Sequence, residues 1–393
     1  MQPISDKKII FCKWNGCAEY GMQKAFESMG YEVESVTYAF NGADYSGECL
    51  ELLGKAFDCN KYEFAFSQNY IPIVGRVCKI YKIPYISWVM DSPAYHLYSD
   101  SIKSPYNYIF IFDRMLYEQF EGDNPGHIFY QPLATCVDIW DATKMDGSTY
   151  GKYDADVSFV GSMYIKECHY DEVNDLPVYL KGYLDGLIEA QLNVYGYNFL
   201  EDVLDEAKAI EFAEYAKWTQ ADDYRHDYKG VVAGIYLGQK CAQLERLRIA
   251  DLLMTSGYDF KLYTNSPLSE KYDRINQGVV GYYNEMPLVF RGSKINLNIT
   301  SKSIRSGLPL RMFDIMGAGG FCITNYQTEL PNFFEIGKDI AVYESIPHLK
   351  ELIDYYLKHE DERIEITRNG YEKVKKYHTY DVALRRMIGT VLR

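Results

Sequence analysis

Short apolar runs alternate with stretches of helical periodicity through the first 145 residues. Residues 8–13, 31–38, 64–67, 85–89, 108–112 and 128–130 read as strands, with helices at 21–29, 49–57, 73–81 and 115–120. This βαβα order predicts a parallel, doubly wound sheet. Between 133 and 153 the periodicity stops, and Asp138, Asp141, Asp146, Gly147, Ser148 and Gly151 suggest an interdomain connection. A strand at 157–160 then opens a second βα region. Residues 165–230 are helical and acidic, with apolar rows such as Leu180, Leu184, Leu187 and Ile188, and read as an inserted helical lid or partner surface.

A long helix at 234–255 leads to a strand at 260–263, and 279–283 reads as another strand entering a turn. In 293–325, Ile295, Leu297 and Ile299 alternate with Asn296 and Asn298 as a strand. A loop with Arg305 and Gly307 follows, and Pro309 suits the first turn of a helix. Gly317, Gly319 and Gly320 end that helix before a strand at 321–324. A strand at 340–343 and helices at 348–359, 361–377 and 381–392 complete the chain. The expected division is an N-terminal domain, 1–145, joined by the C-terminal helix 381–393, and a second domain, 146–380, with the insertion at about 165–230.

Composition narrows the class. A chain of 393 residues exceeds one ordinary core. A formal charge of −14 with no basic run gives no attraction to nucleic acid or an anionic bilayer. Nine scattered cysteines without a CxxC pair fit thiols in a reducing, cytoplasmic setting. The lead at 1–8 runs straight into a strand, so no signal peptide is expected, and no apolar run has membrane-spanning length. The 38 tyrosines are spread through every part of the chain and read as composition rather than as a sugar-stacking surface.

Doubly wound sheets bind ligands outside the carboxyl ends of their strands, so residues there carry the chemistry. Asn15 and Gly16 form a first βα loop that is not a dinucleotide fingerprint. Asp91, followed by Ser92 and Pro93, is placed either to take a proton from an acceptor hydroxyl or to cap the next turn. His96 is a candidate partner or a surface histidine, and Asp113–Arg114 reads as a local ion pair. Gly161, Ser162 and Asn265 end strands of the second domain. Asp154 and Asp156 match a three-residue metal motif but precede their strand, the wrong end for a bound diphosphate. Arg305 and Arg311 beside a helix N-terminus form a candidate diphosphate site, and Asp314 shares a face with Arg311.

The motifs Trp-Val-Met-Asp-Ser-Pro at 88–93, Phe-Ile-Phe-Asp-Arg at 110–114, Gln-Pro-Leu at 131–133 and Phe-Val-Gly-Ser at 159–162 recur together with four others. These are Lys-Ile-Asn-Leu-Asn-Ile-Thr at 294–300, Ile-Arg-Ser-Gly-Leu-Pro-Leu-Arg-Met-Phe-Asp at 304–314, Gly-Gly-Phe at 319–321 and His-Thr-Tyr at 378–380. On them the chain resembles the CgeB-like (spore maturation) glycosyltransferases of bacteria, within the GT-B superfamily. The resemblance covers nearly the whole chain, apart from the insertion. It implies two facing Rossmann-like domains, a UDP-linked nucleotide-sugar donor, and a protein or glycan acceptor. It implies no required metal or cofactor. Arg305 and Arg311 would hold the diphosphate, Asp314 the ribose, Gly281, Tyr282 and Tyr283 the base edge, and Asp91 would be the acceptor-side base. Ser306 stands where related retaining enzymes have a glutamate, so the stereochemical outcome is not implied. A nucleotide-sugar epimerase and a non-catalytic binding scaffold are the rival readings.

Overall fold

The computed structural model describes residues 7–38, 47–59, 61–145, 147, 149, 151–220 and 222–392. The start of the lead segment, 1–6, and Asp146 and Ser148 of the expected connection lie outside the described residues. The chain forms two compact units: Met1–Cys136 with Gln220–His226 and His378–Arg393, and Val137–Thr219 with Asp227–Tyr377.

The first unit holds six strands: β1 (Lys8–Lys13), β2 (Glu32–Thr37), β3 (Ala65–Gln68), β4 (Tyr85–Val89), β5 (Asn107–Ile111) and β6 (Ile128–Tyr130). All pairings are parallel, in the order β2-β1-β3-β4-β5-β6. Every residue of β4 is buried, as a strand covered on both faces requires. The chain leaves β1 toward β2, then returns to continue from β3 in the other direction. That reversal puts the topological switch point between β1 and β3.

The second unit holds β7 (Ala155–Val160), β8 (Phe260–Tyr263), β9 (Ser293–Asn298), β10 (Cys322–Asn325) and β11 (Ala341–Tyr343). They are parallel in the order β11-β10-β9-β7-β8, so here the switch point lies between β7 and β9. Its core gathers Val157, Leu262, Ile295, Leu297 and Ile323 under Leu253 and Ile353. Helices Val178–Leu192 and Glu206–Tyr215 precede a long helix that runs from Tyr228 through a π-helical stretch, Val232–Leu237, to Gly238–Thr255.

Four expectations are corrected. The division falls at Cys136 rather than 145, because Val137–Ala142 is a helix whose buried Trp140 packs on Tyr282 and Tyr283 of the second unit. Within 165–230, Gln220–His226 belongs to the first unit. There Tyr224 stacks on Tyr95 at 4.9 Å, Asp223 pairs with Arg76, and Arg225 with Asp123. The C-terminal segment of the first unit starts at His378, where Thr135 exchanges backbone hydrogen bonds with His378 and Tyr380, ahead of the expected 381. Residues 279–283 are not a strand: Asn276 makes an isolated bridge to Leu262 on the edge strand β8, after which Val279 is 70% exposed and the chain turns.

Candidate functional site

At the switch point of the second unit, β7 and β9 end side by side. Arg246, in the middle of the long helix Gly238–Thr255, reaches both ends. Its Nη1 donates to Ser162 O at 2.5 Å and its Nη2 to Ile299 O at 2.6 Å. Its Nε is buried without a partner, and the plane lies over the rings of Phe159 and Tyr164. Burial lowers the guanidinium from its ordinary value, although an arginine keeps its proton in proteins. Nothing in the sequence singles this residue out, because its two carbonyl partners come together only through the pairing of β7 and β9.

Around it stand the expected strand-end residues. Gly161 N donates to Tyr263 O at 3.0 Å, and a Cβ there would crowd the Phe159 ring at 3.1 Å. Ser162 Oγ accepts from Tyr164 N at 2.8 Å and donates to Glu167 at 3.0 Å. Asn265 is exposed at the end of β8, beside Ser266, whose Oγ accepts from Met163 N at 2.8 Å. The loop after β9 is anchored on the π-helical stretch: Ser303 Oγ donates to Gly234 O at 2.9 Å. A Cβ on Gly238 would come within 3.1 Å of the Ser303 backbone, so that close approach needs glycine.

Within that loop, Arg305 pairs with Glu201 at 3.3 Å. Burial raises the Glu201 carboxyl, and Arg305 partly offsets the rise. Ser306 is buried, and its Oγ donates to the equally buried Glu329 at 2.6 Å. A carboxylate therefore does stand beside position 306, brought from the segment after β10. Gly307 O accepts from Gln327 at 3.2 Å. The next helix is Leu310–Gly317, so Pro309 sits at its N-cap, one residue before the expected place, and no side chain caps it. In this first turn Met312 N donates to Pro309 O at 3.2 Å.

Asp314 on this helix is fully buried. Both its oxygens accept from Tyr282 Oη at 3.0 Å, and Oδ2 also pairs with Arg311 at 3.1 Å. Arg311 Nη1 additionally touches Met286 Sδ. Gly281 N donates to Glu285 at 3.0 Å, and Tyr283 stacks on Trp140 at 5.8 Å. Among the described residues, no group of three or more His, Cys, Asp or Glu could hold a metal ion. Asp156 instead pairs with Lys294 and accepts from Asp259 N.

In the first unit, the loop after β1 is tied inward. Trp14 N donates to Glu19 at 2.8 Å and Trp14 Nε1 to Gln68 O at 3.0 Å. Asn15 is exposed in the left-handed region at φ +69°, and a Cβ on Gly16 would lie 2.4 Å from Gln68 Oε1. Asp91 follows β4 and accepts from Asn69 Nδ2 at 2.6 Å, while Asn69 Oδ1 accepts from Met90 N. Asp91 reaches solvent at its surface, yet desolvation by the surrounding chain raises its carboxyl, with the Asn69 bond opposing. His96 Nδ1 is bonded with Tyr224 Oη at 2.9 Å. Asp113 caps the helix Arg114–Phe120 through Met115 N and Leu116 N and accepts from Ser92 Oγ at 3.0 Å, and Arg114 lies over the Tyr130 ring.

The solved structures most similar in shape include Anabaena Alr3699/HepE in complex with UDP and glucose, with a TM-score of 0.54 at 10% identity over 98% of this chain and 99% of that one. A glycosyltransferase from Rickettsia africae gives the same values. WaaG, a glycosyltransferase involved in lipopolysaccharide biosynthesis, aligns at a TM-score of 0.52 and 10% identity over 97% and 99% of the two chains. The chain has the GT-B fold. A family model described as "Glycosyl transferase-like" matches residues 243–389 of this GT-B chain, a stretch that contains Arg246, Arg305, Arg311, Asp314 and Glu329. Gly161, Ser162 and the first-unit residues lie outside it. A search of the curated proteins finds no significant match.

Proposed function

We propose that this GT-B chain is a glycosyltransferase that moves a sugar from a nucleotide-linked donor to a protein or glycan acceptor. The observation that carries the reading is the arginine-rich switch point of the second unit, with Arg246 fixed across the ends of β7 and β9, inside the stretch that matches the glycosyl transferase-like model. Sugar transfer leaves a diphosphate on which negative charge develops. Arg246, Arg305, Arg311 and the uncapped helix N-terminus at Leu310 are the groups proposed to stabilise it, without a metal ion. The segment Gly281–Tyr283 is proposed to meet the base. Asp314 is proposed to hold Tyr282 and Arg311 in place and to border the ribose.

Asp91 is the proposed acceptor-side base, held by Asn69, with Asn15 and Gly16 near the acceptor; His96 is assigned to positioning through Tyr224. A UDP-linked hexose is the proposed donor, since HepE is described in complex with UDP, glucose and UDP-glucose. The resemblance of the 304–314 motif favours a CgeB-like enzyme. The free thiols of Cys12, Cys78, Cys168, Cys241 and Cys322 favour a reducing, cytoplasmic location. The test is a thermal-shift screen of nucleotides and nucleotide-sugars, followed by product analysis with UDP-glucose and UDP-N-acetylglucosamine, each with and without EDTA. Binding of UDP and EDTA-resistant transfer or donor hydrolysis are expected. An epimerised donor would point to the epimerase reading, and no shift from any nucleotide would end the proposal.

A further inference from the structure

The second unit contains a cavity of about 660 Å³ that the proposed transfer reaction does not use. It opens at the amino ends of the strands: Ser293, the first residue of β9, and Phe321, just before β10, line it. The donor-side residues follow the other end of β9, five residues on, which is roughly 17 Å away at about 3.3 Å per residue. The volume falls in the range of small-molecule pockets.

Two features of the lining point to a ligand. The first is charge. Lys144, Arg291, Lys294, Arg363 and Arg368 line the cavity against a single acid, Asp141, on a chain whose overall charge is −14. Asp141 is already taken by Tyr371 Oη at 2.7 Å and Lys375 at 3.1 Å. Arg291 is spent on the carbonyls of Trp140, Thr143 and Ala318, Lys294 on Asp156, and Arg363 on Glu360. Lys144 and Arg368 are exposed at the rim and have no ion pair among the described residues. The second feature is a polar orphan. Ser293 is 5% exposed and its Oγ has no hydrogen-bond partner, a cost that a ligand atom would remove. Phe290 and Phe321 supply apolar wall, and Gly319, at φ +82°, leaves open space where a side chain would stand.

We propose that this cavity is a second binding site, for a small organic anion with an apolar body. The anionic group is held by Lys144 and Arg368, the body lies against Phe290 and Phe321, and Ser293 Oγ takes one hydrogen bond. Ligands of this kind carry either a phosphate or a carboxylate, so the test uses phenyl phosphate and phenylacetate in separate titrations of the full chain. UDP is titrated in parallel to report on the donor site.

At least one of the two anions is expected to bind with a Kd below about 5 mM. The double variant K144E/R368E should weaken it at least about tenfold while leaving the UDP affinity and the melting temperature unchanged. Ser293→Ala, which changes no charge, should weaken it by a smaller factor. Binding of phenyl phosphate alone or of phenylacetate alone identifies the anionic group. The proposal is overturned if neither anion binds below that concentration, if UDP displaces the bound anion, or if the double variant binds as the wild type does. A failure of UDP to bind would count against the glycosyltransferase reading and not against this site.

Discussion

Asp314 is the residue whose role a measurement can decide most cleanly. Its carboxylate is fully buried and receives Tyr282 Oη on both oxygens at 3.0 Å and Arg311 at 3.1 Å. Asp314→Asn keeps the shape and removes the charge. Breaking a buried ion pair by neutralising one partner costs ~3–5 kcal/mol when the other stays desolvated. The Arg311 side chain is 27% exposed and regains some hydration, which brings the expected loss down to ~2 kcal/mol. Tyr282→Phe deletes a hydrogen bond to a charged acceptor, worth ~1.5–3 kcal/mol. Both changes act on one carboxylate, so the double variant should lose about 1 kcal/mol less than the sum of the singles. Urea unfolding of the four proteins gives these differences, and UDP titration of each gives the functional arm. If Asp314 mainly organises Arg311 and Tyr282, UDP affinity should fall by less than about tenfold in Asp314→Asn. A destabilisation below ~0.5 kcal/mol with additive singles would refute the reasoning. A large affinity loss at unchanged stability would instead make Asp314 a direct ribose ligand.

Arg246→Ala removes two charge-assisted bonds to carbonyls at 2.5 and 2.6 Å, and should cost ~2–4 kcal/mol of stability and at least about tenfold in UDP affinity. Arg246→Lys should recover less than half of the affinity loss, since an ammonium cannot span both carbonyls. Gly370→Ala places a Cβ 2.5 Å from the backbone oxygen of Asp339, which cannot rotate away, and should cost ~1–3 kcal/mol, read as a lower Tm. Desolvation raises the Asp91 carboxyl, so as a base it must lose its proton at a pH above the ordinary aspartate range. Turnover should therefore fall as pH drops through that raised value, and Asp91→Asn should abolish the limb rather than move it. For stability the sign is opposite: the contribution linked to the raised carboxyl is present below the unfolded value and lost as pH rises through the folded one.

Both sheets were legible because buried parallel strands are apolar runs with helices between them, and the loop-helix-strand pattern at 293–325 located the arginine pair of the second unit. The misreadings share a cause. Val279-Val280 has the β-branched look of a strand, but pairing is decided by the free edge of β8, which takes up Asn276 in an isolated bridge before the valines are reached. Residues 137–142 looked like a linker because a six-residue helix held by Trp140 has too few positions to show a period. At Ser306 the sequence shows no carboxylate, and that Glu329, 23 residues on, stands beside it is visible only in the fold.

Arg246 is the same problem at its sharpest. In the sequence it is one polar residue of an amphipathic helix, where the default reading is a solvated face. Its meaning comes from the strand order β9-β7-β8, which makes Ser162 and Ile299 neighbours although they are far apart in the chain. Once that order is known, the inference follows from two elementary facts. The carboxyl ends of parallel strands present carbonyl oxygens, which accept hydrogen bonds, and the switch point leaves a crevice between two such ends. A guanidinium is the side chain whose fork of donors can bridge both oxygens and still carry a full positive charge into that crevice. A diphosphate arriving there would meet a charge whose position is already fixed, so little ordering is left to be done on binding. The same strand order that hid Arg246 from the sequence is therefore what fixes its guanidinium at the switch point.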